Sequence, residues 1–283
     1  QKKLYIQKLV IYGKLKLLRK GGNMYQEYLE FAKDIALYAG RVMMEYYNDE
    51  ISLNYKKDKT VVTMVDKRIN SYLIERVKEK YKDHSVSGEE ESFIQESEYV
   101  WVCDPLDGTG MYVNHIPVFV FSLALVYKGQ PIVGVVYNPN EDKMYTAIQG
   151  EGAYCNNKKI SVNNKQLGEQ GYKTNVEMFQ NGIIDEVMLV KELKKVSTIS
   201  SIGSVVRSAM AIATGDFSCD VFPGTIHGNC DIAASYLIVT EAGGKVTDLY
   251  GRKQRYDKDI KGALITNGCS HDLALEIVRK YII

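Results

Sequence analysis

CDPLDGTG, residues 103–110, follows the apolar run Tyr99-Val100-Trp101-Val102 and decides how the chain is organised. The run alternates as a half-buried strand does, so Asp104 and Asp107 emerge where a sheet stops. Two carboxylates this close repel and raise each other's pKa unless a cation sits between them. A hard cation such as magnesium, which takes oxygen ligands from a few carboxylates, waters and substrate phosphates, suits the place. Asp, Pro and Gly are also favoured turn formers, so a plain turn explains the same eight residues. Further carboxylates elsewhere in the chain discriminate between the two readings.

Toward the N-terminus, Leu29, Ala32, Ile35, Ala36, Ala39, Val42, Met43 and Tyr46 recur at helical spacing and predict a long amphipathic helix over residues 25–48. A second helix starts near Thr63, where Thr63 and Asp66 have the spacing of a capping box and Val65, Ile69, Leu73 and Val77 line one face. In the other direction, VFVFSLALVY (118–127) and PIVGVVYNP (131–139), linked through Lys128-Gly129-Gln130, read as a hairpin. KMYTAI (143–148) and a turn at GEGA (150–153) continue a largely antiparallel sheet.

Beyond about residue 160 helices and strands alternate. Helices are predicted over 184–196, 204–214, 231–241 and 271–282, with strands TISSI, FSCDVF, KVTD and GALITN between them. Such alternation predicts a sheet layered with helices, hence an α/β fold. The expected divisions are a basic extension over 1–23, a helix and antiparallel-sheet unit over 24–160 and an α/β unit over 161–283. An interface between two such units is a favoured place for a small-molecule site.

The chain has 283 residues, with 36 Lys plus Arg against 35 Asp plus Glu, a balance that argues against a nucleic-acid binder. The charge is unevenly spread. Residues 1–23 carry seven basic and no acidic residues, which leaves 29 basic against 35 acidic over 24–283. The basic leader lacks the apolar centre and cleavage site of a secretory signal. It has the pattern of an amphipathic membrane-surface helix, but Lys20-Gly21-Gly22 before Met24 is also how a purine-rich ribosome-binding site reads when translated. The second reading makes Met24 the expected start. Five scattered cysteines without a CxxC pair fit neither a disulfide framework nor a zinc ribbon, and point to reduced thiols in a cytoplasm. No apolar stretch approaches the roughly 18–20 residues of a membrane span.

Two more acidic places stand out. VSGEEES (86–92) offers Glu89 and Glu90 after Gly88, and GNCDIAAS (228–235) sets Asp231 in the first turn of a helix. A solvated loop explains the first equally well, and a helix cap the second. Taken together, GEE, then DPLDGT fifteen residues after the first Glu, then CDIAAS with EAGGKVTD resemble the inositol monophosphatase family of magnesium-dependent, lithium-sensitive sugar phosphatases. VGVVYNP and GEGAYCNNKKISV extend the likeness, which runs from about Met24 to the C-terminus.

The resemblance implies a layered αβαβα sandwich of two sub-domains with the active site between them, and commonly a homodimer. Carried over by position, Glu89, Asp104, Asp107, Asp231 and the Leu106 carbonyl bind two or three Mg2+ ions. Gly108 and Thr109 offer backbone N–H groups to the phosphate, and Asp107 and Asp231 also face the substrate. The Thr109 hydroxyl, Asp66 and Glu89 act on the attacking water, although capping alone explains Asp66. Four carboxylates offset two divalent cations and leave them able to attract a phosphate dianion.

The expected activity is therefore hydrolysis of a small phosphate ester, with a non-catalytic, ligand-binding or regulatory relative as the alternative. Glu90 stays between a water-mediated ligand and a solvated residue, and Arg207 between a substrate contact and a helix surface. The four histidines show neither HxxxH spacing nor a GxSxG elbow, and most read as structural. Two departures from the family concern the substrate. Gly110, Met111 and Tyr112 follow DGT where relatives usually have Thr and Asn, and Gly224 stands at the spacing where inositol-specific relatives carry a glutamate.

Overall fold

The structure, a computed structural model, describes residues 24–47, 64–179 and 183–283 in full, and only the backbone course of 2–23, 54–55 and 61–62. Thr63, half of the expected capping box, lies outside the described residues.

Helix α1 (Lys2–Tyr46) is followed by a ribbon of β1 (Asn54–Tyr55) and β2 (Val61–Val62), then helix α2 (Met64–Lys80). Next come β3 (Ser85–Gly88), β4 (Tyr99–Asp107), a short helix α3 (Thr109–Val113), β5 (Val120–Tyr127), β6 (Gln130–Asn138), β7 (Lys143–Ile148), β8 (Gly152–Cys155) and β9 (Lys158–Lys159). The rest comprises β10 (Lys173–Val176), α4 (Glu186–Leu193), β11 (Thr198–Ser200), α5 (Val205–Ala213), β12 (Cys219–Phe222), α6 (Gly228–Glu241), β13 (Lys245–Thr247), β14 (Ala263–Thr266) and α7 (His271–Arg279).

β3 to β9 form a seven-stranded sheet in chain order, antiparallel except that β3 runs parallel to β4. The β5–β6 turn puts Lys128 and Gly129 both at positive φ, the two-residue geometry that matches strand twist. Ser85–Gly88 has no strand signature in sequence. It becomes a strand because β4 offers a free edge and because Val86 also exchanges backbone hydrogen bonds with Phe93. The second sheet has the order β11-β10-β12-β14-β13, with β10 parallel to both its neighbours.

Three apolar clusters hold five layers together, one of them lining both sides of the middle layer. One face of the larger sheet, including Trp101, Phe121, Leu123 and Val135, packs on Phe31, Ile35, Val42, Ile69 and Leu73 of α1 and α2. The alternate residues Val100, Val102, Val120, Ala124 and Val136 point the other way, against α5 and α6. Strands apolar on both faces are what a sheet covered on both sides requires. The far side of α5 and α6 meets Val246, Ala263 and Ile265 of the smaller sheet, whose opposite face buries Leu189, Leu193, Ala274 and Val278 of α4 and α7. The result is the expected αβαβα sandwich.

Helix α6 lies between the two sheets and is apolar around most of its circumference, as a helix buried on all sides must be. It begins at Gly228, three residues before Asp231, so the aspartate sits inside the first turn rather than at the cap. Its closeness to the larger sheet depends on Gly134 of β6, where an added Cβ would stand 3.2 Å from the Ala234 carbonyl oxygen. Gly134→Val is expected to overpack this contact and lower stability by about 1–3 kcal/mol. A urea midpoint unchanged from that of the parent protein would show that the helix does not need the close approach.

Candidate active site

β4 explains the opening stretch. Asp104 pairs with Ser122 and Asp107 with Val120, so three steps on β4 oppose two on β5. This is a β-bulge of one extra residue at Pro105-Leu106, where a proline without an N–H is tolerated. Side chains three apart on a regular strand point to opposite faces. The extra residue returns Asp104 and Asp107 to the same side. The Leu106 N–H donates to Asp104 Oδ1 (2.9 Å) and the Thr109 hydroxyl to the Leu106 carbonyl (2.8 Å), which fixes the turn. Gly108 has φ +87°, and any Cβ there would collide with the Val118 carbonyl oxygen, so the position takes only glycine.

Two helix starts meet this turn. Asp107 accepts the Ser204 hydroxyl and the Val206 N–H (3.0 Å), so a carboxylate from β4 caps the positive end of α5. Asp231, in the first turn of α6, accepts the Thr225 hydroxyl at 3.0 Å. Asp104, Asp107 and Asp231 can each turn an oxygen to within 4.8 Å of the others. Asp104 and Asp107 are buried, and Asp231 is half-buried. Burial, then the charges of Glu89, Asp107 and Asp231, lifts Asp104 well above the usual carboxylate range. Burial moves Asp107 up to about 7 against the pull of the Ser204 hydrogen bond, and burial with Asp107 and Glu89 nearby raises Asp231.

The trio forms the floor of a cleft of about 510 Å3 that Glu89, Glu90, Leu106, Gly108 and Thr109 also line. Among the described residues lining it, none is Lys or Arg. The clustered negative charge of the trio, its oxygen donors and the absence of Lys and Arg from the lining together fit a divalent metal ion. Asp66 is buried in the first turn of α2 and stands outside the cleft lining. Arg207 pairs with Glu141 (2.9 Å) instead of lining the cleft. Cys103 and Cys230 are buried beside the carboxylates with their thiol pKa values pushed up by burial. A separate cleft of about 280 Å3 between α1 and β7 contains Glu30 and Lys33, paired with each other at 3.1 Å, and no converging carboxylates.

Residues 24–282 match the inositol monophosphatase family. The chain belongs to that family. A fructose-1,6-bisphosphatase/inositol-1-monophosphatase of Aquifex aeolicus is 34% identical over 265 residues, covering 91% of this chain and 97% of that protein. An IMPase of Thermotoga maritima superposes with a TM-score of 0.81 at 26% identity, over 90% of this chain and 97% of the other. An IMPase/NADP phosphatase complexed with Mg2+ and phosphate superposes with a TM-score of 0.76 at 26% identity, over 92% of this chain and 98% of the other. The chain is accordingly a phosphoric monoester hydrolase of a metal-dependent family, and the acidic trio is a cluster that could hold a metal ion.

Behind the inositol monophosphatase trio stands a buried network that the sequence did not announce. The Asn175 amide donates to Glu177 Oε1 (2.8 Å) and Asp220 Oδ1 (2.9 Å), while its Oδ1 accepts the Ile202 N–H (3.0 Å). Glu177 also accepts the Gly203 N–H at 3.3 Å, and Ser208 donates to Asp220. These bonds hold the loop that delivers Ser204 to Asp107. The one sequence signal was Ser204 three residues before Arg207, whose N–H it caps at 3.1 Å. His227, among histidines that mostly read as structural from sequence, lines the cleft and adopts a left-handed backbone just before α6.

Asp220 carries a pH signature. Its ordinary value is near 3.8, and burial followed by the Glu177 charge raises it to about 8. Below about pH 3.8 it is protonated in folded and unfolded chains alike. Between that point and about 8 only the folded state keeps the proton, so stability falls as pH rises through this window. Asp220→Asn retains a hydrogen bond to each partner and removes the proton. Its melting temperature is expected to decline less from pH 5 to pH 8 than that of the parent, and an identical slope would refute the assignment.

Proposed function

We propose that this chain is a magnesium-dependent phosphomonoesterase that hydrolyses a small phosphorylated metabolite with an activated water. The observation that carries the reading is the convergence of Asp104, Asp107 and Asp231 from β4 and α6 on one buried floor. Glu89 and the Leu106 carbonyl complete the ligand set for two or three Mg2+ ions, with Glu89 on the same cleft wall. Mg2+ is supported by the all-oxygen donors and by the superposable IMPase/NADP phosphatase that holds Mg2+ and phosphate. Bound cations supply Lewis acidity, charge neutralisation and an acidified water.

The chain's own groups do the positioning. Gly108, without a Cβ, lets the backbone N–H groups of residues 108 and 109 approach phosphate oxygens closely. Thr109 Oγ1, its own proton on the Leu106 carbonyl, accepts from and orients the water; Glu89 on the cleft wall takes the water's proton, and Asp66, outside the lining, assists from behind. Water oxygen then bonds to phosphorus as the bond to the alcohol oxygen breaks; the leaving oxygen takes a proton from solvent, and the proton held by the carboxylate returns to solvent. Phosphoryl transfer depends mainly on positioning and charge stabilisation, so no nucleophilic side chain is needed. The division of the chain near residue 160 and operation in a reducing cytoplasm belong to the same reading, the latter supported by five free cysteines.

Gly224 bears on the substrate. It has φ +103°, and a Cβ there would stand 2.8 Å from the Gly262 nitrogen, so the backbone leaves no room for the glutamate of inositol-specific relatives. Phosphate release from inositol 1-phosphate, fructose 1,6-bisphosphate and NADP+, with Mg2+ and with chelator, tests the function. Turnover of at least one ester is expected, dependent on Mg2+ and reduced by more than about a hundredfold in Asp104→Asn. Turnover that survives chelation or this substitution would contradict the reading.

A further inference from the structure

We propose that the mouth of the cleft is a subsite for an apolar or aromatic group carried by the alcohol of the substrate, an inference that rests on the phosphatase reading of its floor. Three different parts of the fold contribute carbon surface there: Met111 from α3, Phe179 from the segment after β10, and Ile226 from the segment between β12 and α6. Phe179 is 42% exposed and Ile226 60% exposed, although both stand beside a site made of carboxylates.

Two of the three are held in place. The Phe179 ring meets the fully buried Phe222 ring edge-on, with centroids 6.0 Å apart and planes at 90°. The Met111 side chain lies over Gly203 so closely that a Cβ at that glycine would collide with its Cε. These side chains are therefore preset surfaces on either side of the opening. Beside Met111, a Cβ at Gly110 would meet nothing within 4 Å, so the wall stays open for a bulky group.

Two of the hydroxyls nearby are committed to the floor, which leaves Glu90 and His227 among the cleft's other polar lining. The Thr225 hydroxyl is donated to Asp231, and the Ser204 hydroxyl to Asp107. A polyol placed at the mouth would have to surrender water from several hydroxyls with few partners in return. A group with an apolar face instead removes its own carbon surface and that of Phe179 and Ile226 from water. An aromatic ring also gains offset or edge contact with Phe179 and contact with the Met111 sulfur. The floor fixes the phosphate and these three side chains choose the alcohol.

Two esters of primary alcohols, 2-phenylethyl phosphate and glycerol 1-phosphate, test this, because the bond broken is the same and only the remote group differs. The parent protein with Mg2+ is expected to show at least about a tenfold higher kcat/KM for the aromatic ester, carried by KM. Phe179→Ala should bring that ratio close to unity, and Ile226→Ala should lower it; both side chains are exposed enough for the variants to fold. A kcat/KM for glycerol 1-phosphate that equals or exceeds that of the aromatic ester overturns the proposal and leaves the phosphatase reading standing. So does a preference that neither substitution changes. No phosphate release from either ester overturns the proposal, and overturns the phosphatase reading as well only if inositol 1-phosphate, fructose 1,6-bisphosphate and NADP+ also release none.

Discussion

The mutual repulsion of Asp104, Asp107 and Asp231, removed from most of the solvent that would screen it, is the constraint on which the site and much of the fold depend. Left to itself this charge would push β4 and α6 apart. The architecture holds them together by means that owe nothing to the carboxylates: a helix wedged between two sheets, packed on both sides by continuous apolar surface. The Ser204 hydroxyl and the start of α5 stabilise the Asp107 charge, and the Leu106 N–H does so for Asp104. What they leave uncompensated is matched by divalent cations in the proposed reaction.

The same constraint separates the reaction from the choice of substrate. The acidic floor and the Gly108 turn proposed to cradle phosphate come from β4, the residues after it and α6, all anchored in cores or ladders. The mouth is built from the ends of loops and a five-residue helix, where side chains can differ between relatives without disturbing the sheets. Met111, Phe179 and Ile226 belong to that outer tier, and at Gly224 the backbone leaves no room for a side chain.

Much of this was legible in sequence, for physical reasons that can be named. Long amphipathic periodicities gave α1 and α2, and the run YVWVCD with the 128–130 link placed the strands of the larger sheet. The acidic trio was legible because Asp104 and Asp107 crowd a strand end and because CDIAAS, with DPLDGT, resembles the family's motifs; a helix cap alone explained Asp231. The bulge at Pro105-Leu106 was not, since a register shift depends on the neighbouring strand. Ser85–Gly88 looked like a loop because pairing, not propensity, makes it a strand. The Asn175, Glu177 and Asp220 network joins residues 45 apart, and no local pattern announces it. Most helix ends differ by a few residues, with α6 starting at Gly228 because His227 in a left-handed conformation begins it, but α1, expected over 25–48, starts at Lys2.

The convergence of the acidic trio on bound cations is tested most directly by anomalous diffraction from crystals grown with Mn2+ as a heavier stand-in for Mg2+. The account predicts anomalous peaks held by the carboxylates of Asp104, Asp107 and Asp231 together. Peaks confined to separate surface carboxylates, or none at the trio, would contradict it.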